Sequence, residues 1–175
     1  GEGVYSEKRD VKRVLLVAIT SNRGLCGGFN NNIIKQANNA IKHGDAEYHV
    51  LPLGKKAYDT FKKDASLVPQ GFGEDTWKIF DYLNFDAAQE VAEAIMEQFR
   101  VGTYDAVKIV YNKFVNAAVQ EPTMEDYLPL EPLETGEEGP SGVDIEYIFE
   151  PNQAEIVERI IPNSLKVQLY KGLLD

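Results

Sequence analysis

The sequence predicts an α/β fold with a mostly parallel sheet flanked by helices, and three observations carry that expectation. Val14 to Ile19 (VLLVAI) is an unbroken apolar run, β-branched at three of its six positions, which reads as a strand buried on both faces. A glycine-rich loop, TSNRGLCGG, follows it and leads directly into a helical pattern, so the chain opens with strand, tight loop and helix. A second unit of the same kind comes next: Tyr48 to Leu53 as a short strand, then Gly54 and a helix carrying Ala57, Tyr58 and Phe61. Two consecutive strand–helix units favour parallel strands joined by right-handed crossovers.

Composition sets the class. The chain has 175 residues, 43% of them hydrophobic, with nine Tyr and eight Phe, which describes one globular domain with a real core and excludes disorder. The longest apolar run is the six residues of VLLVAI, too short to span a bilayer. A single cysteine cannot form an internal disulfide and no signal peptide opens the chain, so the expected compartment is the cytosol. A net charge of −10 argues against nucleic acid as a partner. Gly1-Glu2-Gly3 has no initiator Met and reads as the edge of a longer chain.

Taken in order, residues 4 to 13 carry Lys8, Arg9, Lys12 and Arg13 among polar neighbours and read as a solvated lead-in. After the glycine loop, Asn30, Asn31 or Asn32 can cap a helix whose Ile33, Ile34, Ala37, Ala40 and Ile41 form one apolar stripe. His43-Gly44 ends it, Gly44 being able to take the left-handed cap. Ser66 to Gln70 is expected as a short edge strand, the one place a sheet tolerates Pro69. Trp77, Ile79, Phe80, Tyr82 and Phe85 form the densest aromatic cluster, read as packing under a helix. Asp86 caps an amphipathic helix built on Ala88, Val91, Ala92, Ile95, Met96 and Phe99 and ended by Gly102. Ala106 to Tyr111 is a buried strand running on through Asn112 to Gln120, and with Pro122 to Leu130 it forms an extended pair protruding past the sheet. Residues 131–142 read as a mobile acidic loop, Val143 to Phe149 as the last strand, and 151–175 as a helix kinked at Pro162.

The glycine loop is the candidate for chemistry. A Walker-type phosphate loop needs G-x-x-x-x-G-K-[ST], yet Phe29-Asn30 stands where Lys and the hydroxyl belong. A dinucleotide loop needs G-x-G-x-x-G, which Gly24 to Gly28 does not supply, so no cofactor is expected; the carboxylates Glu131, Glu134, Glu137 and Glu138 lack the D-x-D-x-D-G arrangement of a Ca²⁺ loop, so no metal is expected. Gly24-Leu25-Cys26-Gly27-Gly28 does have the form of a nucleophile elbow, with Cys26 between strand and helix. A small cysteine hydrolase or amidase would need a general base for Cys26, and the chain offers only His43, at the far end of the next helix, and His49, at the start of the next strand.

SNRGLCGGFN closely resembles the S-D-R-G-L-C-G-G signature of the gamma subunit of rotary F-type ATP synthases, with Asn22 replacing the usual Asp. Further matches follow in the family's order: Gly54-Lys55-Lys56, Tyr111-Asn112-Lys113-Phe114, Pro122-Thr123, Leu128-Pro129-Leu130 and the tail LKVQLYKGLL. The resemblance implies a Rossmann-like three-layer sandwich without nucleotide-binding chemistry, the globular foot of a central stalk over residues 1–175, with 151–175 as the root of a shaft helix. It implies no catalytic residue, a rotor role coupling a proton-driven membrane c-ring to the alpha and beta subunits, and epsilon bound alongside. It places the chain as a peripheral membrane protein on the cytoplasmic face of a bacterial inner membrane. Arg23, Gly24, Leu25, Cys26, Gly27 and Gly28 become the candidate subunit interface. The two ends of the domain should lie together at the shaft root, and Leu169, Leu173 and Leu174 should form a seam prone to self-association.

Overall fold

VLLVAI forms the centre of a sheet because it can be buried from both sides. In the computed structural model, which describes residues 4–21, 27–82, 85–116 and 118–130, β1 (Arg13–Ile19) pairs in parallel with β2 (Glu47–Leu53) on one side and β3 (Ala106–Asn116) on the other. The antiparallel β4 (Val119–Leu128) adds at the β3 edge, giving the order β2-β1-β3-β4 among the described residues.

The strand's period of two sorts its side chains between two cores. Val14, Leu16 and Ala18 face Ile33 and Ala37 of α1 (Gly27–His43) and Ala57 and Phe61 of α2 (Lys55–Phe61). Leu15, Val17 and Ile19 face the other way, with Ile79 of the one-turn α3 (Ile79–Tyr82) and Ala92, Ile95, Met96 and Phe99 of α4 (Phe85–Arg100). These are the three layers the sequence implies. Leu15, Leu16 and Phe99 are fully buried, and each such side chain contributes about 1.5–3 kcal/mol relative to exposure. The β3–β4 hairpin continues past the end of β1, since β1 pairs only as far as Val110 while the hairpin pairs out to Asn116 and Val119. Val115 and Val119 at its tip are exposed.

Several local expectations are corrected. Ser66 to Gln70 is not an edge strand: Ala65–Leu67 is a 3-10 turn capped by the Asp64 carboxylate, which accepts from the Ser66 N–H at 3.0 Å. The Asp64 side chain offers the backbone a local partner, and that competes with strand pairing. Asn30, Asn31 and Asn32 do not cap α1, because the helix already begins at Gly27. Asp86 does not cap α4; the helix starts at Phe85 and Asp86 lies in its first turn, where its charge still favours the helix N-terminus. Gly44 is not in the left-handed region; a Cβ there would stand 2.8 Å from the Ala40 carbonyl oxygen and against the Tyr48 ring, so close packing requires the glycine. Gly102 does take positive φ, 89°, as expected at a helix end. Finally, the lead-in is not simply solvated. Tyr5 packs against the core and Arg9 is only partly exposed.

The expected acidic loop 131–142, the strand Val143 to Phe149 and the helix over 151–175 lie outside the described residues.

Candidate functional site

The loop after β1 leaves the sheet where the connections diverge. The helix following β1 covers one face and α4, which precedes β3, covers the other, so the C-terminal end of β1 is the switch point of an open parallel sheet. The root of the loop is tied down firmly. Asn30, buried in the first turns of α1, accepts from the Ser21 N–H and donates to the Ser21 carbonyl, both at 2.9 Å. Thr20, also buried, donates its N–H to the Leu53 carbonyl, and its hydroxyl oxygen accepts from the Ala57 N–H at 3.2 Å. Of the six candidate interface residues, Arg23, Gly24, Leu25 and Cys26 lie outside the described residues. Gly27 and Gly28 open α1, are exposed, and have no described atom within 4 Å of where a Cβ would stand. Packing therefore does not explain these two glycines among the described residues.

Gly54, from the second matched motif, has a clear role at the same end of the sheet. It turns β2 into α2 with φ 109° and ψ 152°, a conformation only glycine adopts freely. A Cβ there would lie 2.6 Å from Thr20 Oγ1 and closer still to the Thr20 carbonyl oxygen.

Both histidines lie away from the loop end of the sheet. His49 stands level with Leu15 in the β1–β2 register, four residues short of the strand end at Ile19, or ~13 Å at ~3.3 Å per residue. Both of its ring nitrogens are engaged. Nδ1 lies 2.7 Å from the Tyr104 hydroxyl and Nε2 lies 2.9 Å from Glu47 Oε2. The Glu47 carboxylate can only accept, so Nε2–H donates to it and Nδ1 of the neutral ring takes the Tyr104 proton, while the Tyr104 oxygen accepts from the Gln70 N–H at 2.9 Å. Burial raises the Tyr104 phenol above its ordinary pKa, and the Gln70 N–H partly offsets that rise. His43 is the exposed last residue of α1. Among the described residues no group of three or more His, Cys, Asp or Glu could hold a metal ion.

Two further features were not visible in the sequence. At the free edge of β2 a cavity of about 320 Å³ lies between α2 and the segment around Val68 and Phe72. Its wall includes Tyr58 stacked on Trp77 at 4.5 Å, with Lys62 over the tyrosine and Lys78 over the tryptophan. So Trp77 of the aromatic cluster does pack against a helix, as read, while the side chains of Phe80, Tyr82 and Phe85 lie outside the described ones. At the opposite end of the sheet, Arg9 reaches across to the C-terminus of α4, where its guanidinium sits 4.1 Å over the Phe99 ring and donates to the Phe99 carbonyl at 2.8 Å. Only the charge of Arg9 was legible beforehand, and charge alone reads as solvation.

Comparison with known proteins gives one consistent answer. A family model described as ATP synthase matches residues 2–175. The chain is 41% identical over 174 residues to the ATP synthase gamma chain of Flavobacterium psychrophilum and 44% identical to that of Flavobacterium johnsoniae, covering 99% of this chain in each case. It spans only 58% of the length of those relatives. In three dimensions it is similar to a chain in the central stalk and c-ring structure of Tetrahymena thermophila mitochondrial ATP synthase, with a TM-score of 0.58 and 22% identity, over 97% of this chain and 77% of that one. That likeness bears on the fold.

Proposed function

The chain belongs to the ATP synthase gamma family, and on that premise we propose that it is the globular foot of a rotor, coupling proton-driven rotation of a membrane ring to ATP synthesis elsewhere in the complex. The observation that carries this reading is the family match over residues 2–175, on a sheet whose loop end carries structural rather than catalytic hydrogen bonds. The foot itself performs no chemistry. Its partners are the catalytic alpha and beta subunits, epsilon and the membrane c-ring, with Arg23, Gly24, Leu25, Cys26, Gly27 and Gly28 as the contact loop. The rigid Ser21–Asn30 and Thr20–Ala57 bonds support that role, because a loop that transmits force needs a fixed root. Residues 1–175 act as one unit, with 131–142 an acidic loop and 151–175 the root of a shaft helix whose apolar seam drives self-association when unpartnered.

The protein sits as a peripheral subunit on the cytoplasmic face of a bacterial inner membrane. No described helix is long and apolar enough to cross a bilayer. The cysteine-hydrolase reading finds no support, since His49 is held by Tyr104 and Glu47. Co-expression of the chain at its natural length with alpha, beta and epsilon subunits tests the proposal. The expected result is a co-purifying complex with ATPase activity that survives Cys26→Ser. Failure to co-purify, or a hydrolase activity lost on alkylation of Cys26, would overturn it.

A further inference from the structure

We propose that Arg9 and Asp105 form the torque-bearing joint between the entering chain and the sheet, as positioning residues for rotary coupling; this rests on the rotor reading above. The segment before β1 could have been attached to the domain by its covalent bond to Arg13 alone. Instead it is fastened to three other parts of the fold. Arg9 donates to the Phe99 carbonyl at the end of α4, lies over the Phe99 ring and stands 3.9 Å from Asp105 Oδ1. Asp105, immediately before β3, accepts through Oδ2 from the N–H groups of Lys12 and Arg13 at 2.9 and 3.1 Å, and returns its own N–H to the Arg13 carbonyl. Tyr5 also stacks on Phe99, with ring centroids 6.5 Å apart, and its carbonyl accepts from the Leu130 N–H at 2.7 Å.

Two consequences follow. The chain's entry at Tyr5 and its exit from β4 at Leu130 are hydrogen-bonded neighbours, so force entering at one is shared with the other. The load passes into α4 and β3 as well as along β1. Such bonds suit the task because a charge-assisted hydrogen bond in a partly dry site is about twice as strong as a neutral one. The Nε–H of Arg9 is buried with no partner among the described residues, a desolvation cost set against its bond to the Phe99 carbonyl and its place over the Phe99 ring. Retaining the guanidinium is explained by a joint that must hold direction as well as apolar contact.

The test uses the complete complex, with the chain at its natural length, reconstituted in vesicles. ATP hydrolysis and ATP-driven proton pumping are measured for the unchanged chain, Arg9→Met, Asp105→Asn and Arg9→Lys. The expected result is hydrolysis close to that of the unchanged complex, with a loss of protons pumped per ATP in the first two variants. Arg9→Lys, which keeps the cation over Phe99, should recover part of that loss. Hydrolysis and pumping falling in proportion would reduce the cluster to a purely structural role and overturn the inference. Unchanged pumping per ATP in both variants would do the same. An unchanged complex that hydrolyses but never pumps would overturn the rotor reading instead.

Discussion

Replacing Gly54 with alanine isolates one backbone requirement at the loop end of the sheet. Gly54 sits at φ 109°, ψ 152°, a region that costs an L-residue about 1–3 kcal/mol. The added Cβ would stand 2.6 Å from Thr20 Oγ1 and closer to the Thr20 carbonyl oxygen, so the turn between β2 and α2 must move away from the end of β1. That movement stretches two bonds of Thr20, one donated by its N–H to the Leu53 carbonyl and one accepted by its hydroxyl from the Ala57 N–H, each contributing about 1 kcal/mol. Alanine recovers about 0.4–1 kcal/mol by restricting the unfolded chain. The net expected loss is about 3 kcal/mol, a large share of a typical stability of ~5–15 kcal/mol. For a domain of this size it lowers Tm by ~6–12 °C. Urea unfolding followed by circular dichroism measures it, with Gly73→Ala as the control, because a Cβ there meets only Thr76 Oγ1 at 3.8 Å. Thr20→Ala in the Gly54→Ala background should restore little, since the nearest obstacle is backbone carbonyl. A loss below ~1 kcal/mol, the middle of the range for single substitutions, or full rescue by Thr20→Ala, would refute the reasoning.

Tyr104→Phe removes the hydroxyl that joins His49 to the Gln70 amide and leaves a buried ring nitrogen unpaired, while the exposed Gln70 N–H turns to water; the expected loss is about 1–3 kcal/mol, read as a lower urea midpoint. An unchanged midpoint would mean the bridge carries no weight. Alkaline stability should also reflect the phenols. Burial raises the pKa of Tyr127 and Tyr111, and hydrogen bonding to Glu125 adds to the rise at Tyr111. Above pH ~10 the folded state therefore binds more protons than the unfolded one, so stability is complete below that pH and declines above it, by ~1.4 kcal/mol per pH unit for each raised phenol. Phenolate absorbance should show these tyrosines ionising only as far-ultraviolet circular dichroism is lost. Smooth ionisation of all nine tyrosines in a still-folded chain would contradict it.

The α/β class, the parallel β1–β2 pair and the protruding β3–β4 hairpin were legible from local patterns, although the hairpin turns between Asn116 and Val119 and not after Gln120 as read. Ser66 to Gln70 misled because Val68 and Pro69 fit an extended edge, while the Asp64 carboxylate held the start of the segment in a turn. Asn30 misled in a different way. Its short polar side chain suggested a cap, but in the folded chain it reaches outside the helix to both polar groups of Ser21.

By itself the sequence determined the α/β class, the main strands and helices among the described residues, which loop carries the family signature, and that this loop has neither the Walker nor the dinucleotide motif. Those properties depend on residues a few positions apart. Only the tertiary structure decided that Gly54 is fixed by Thr20, that His49 is committed to Tyr104 and Glu47, and that Arg9 grips the end of α4 ninety residues away. Each is a contact between segments distant in the chain, and hydrogen bonding and steric exclusion act only once the fold has brought those segments within a few ångströms.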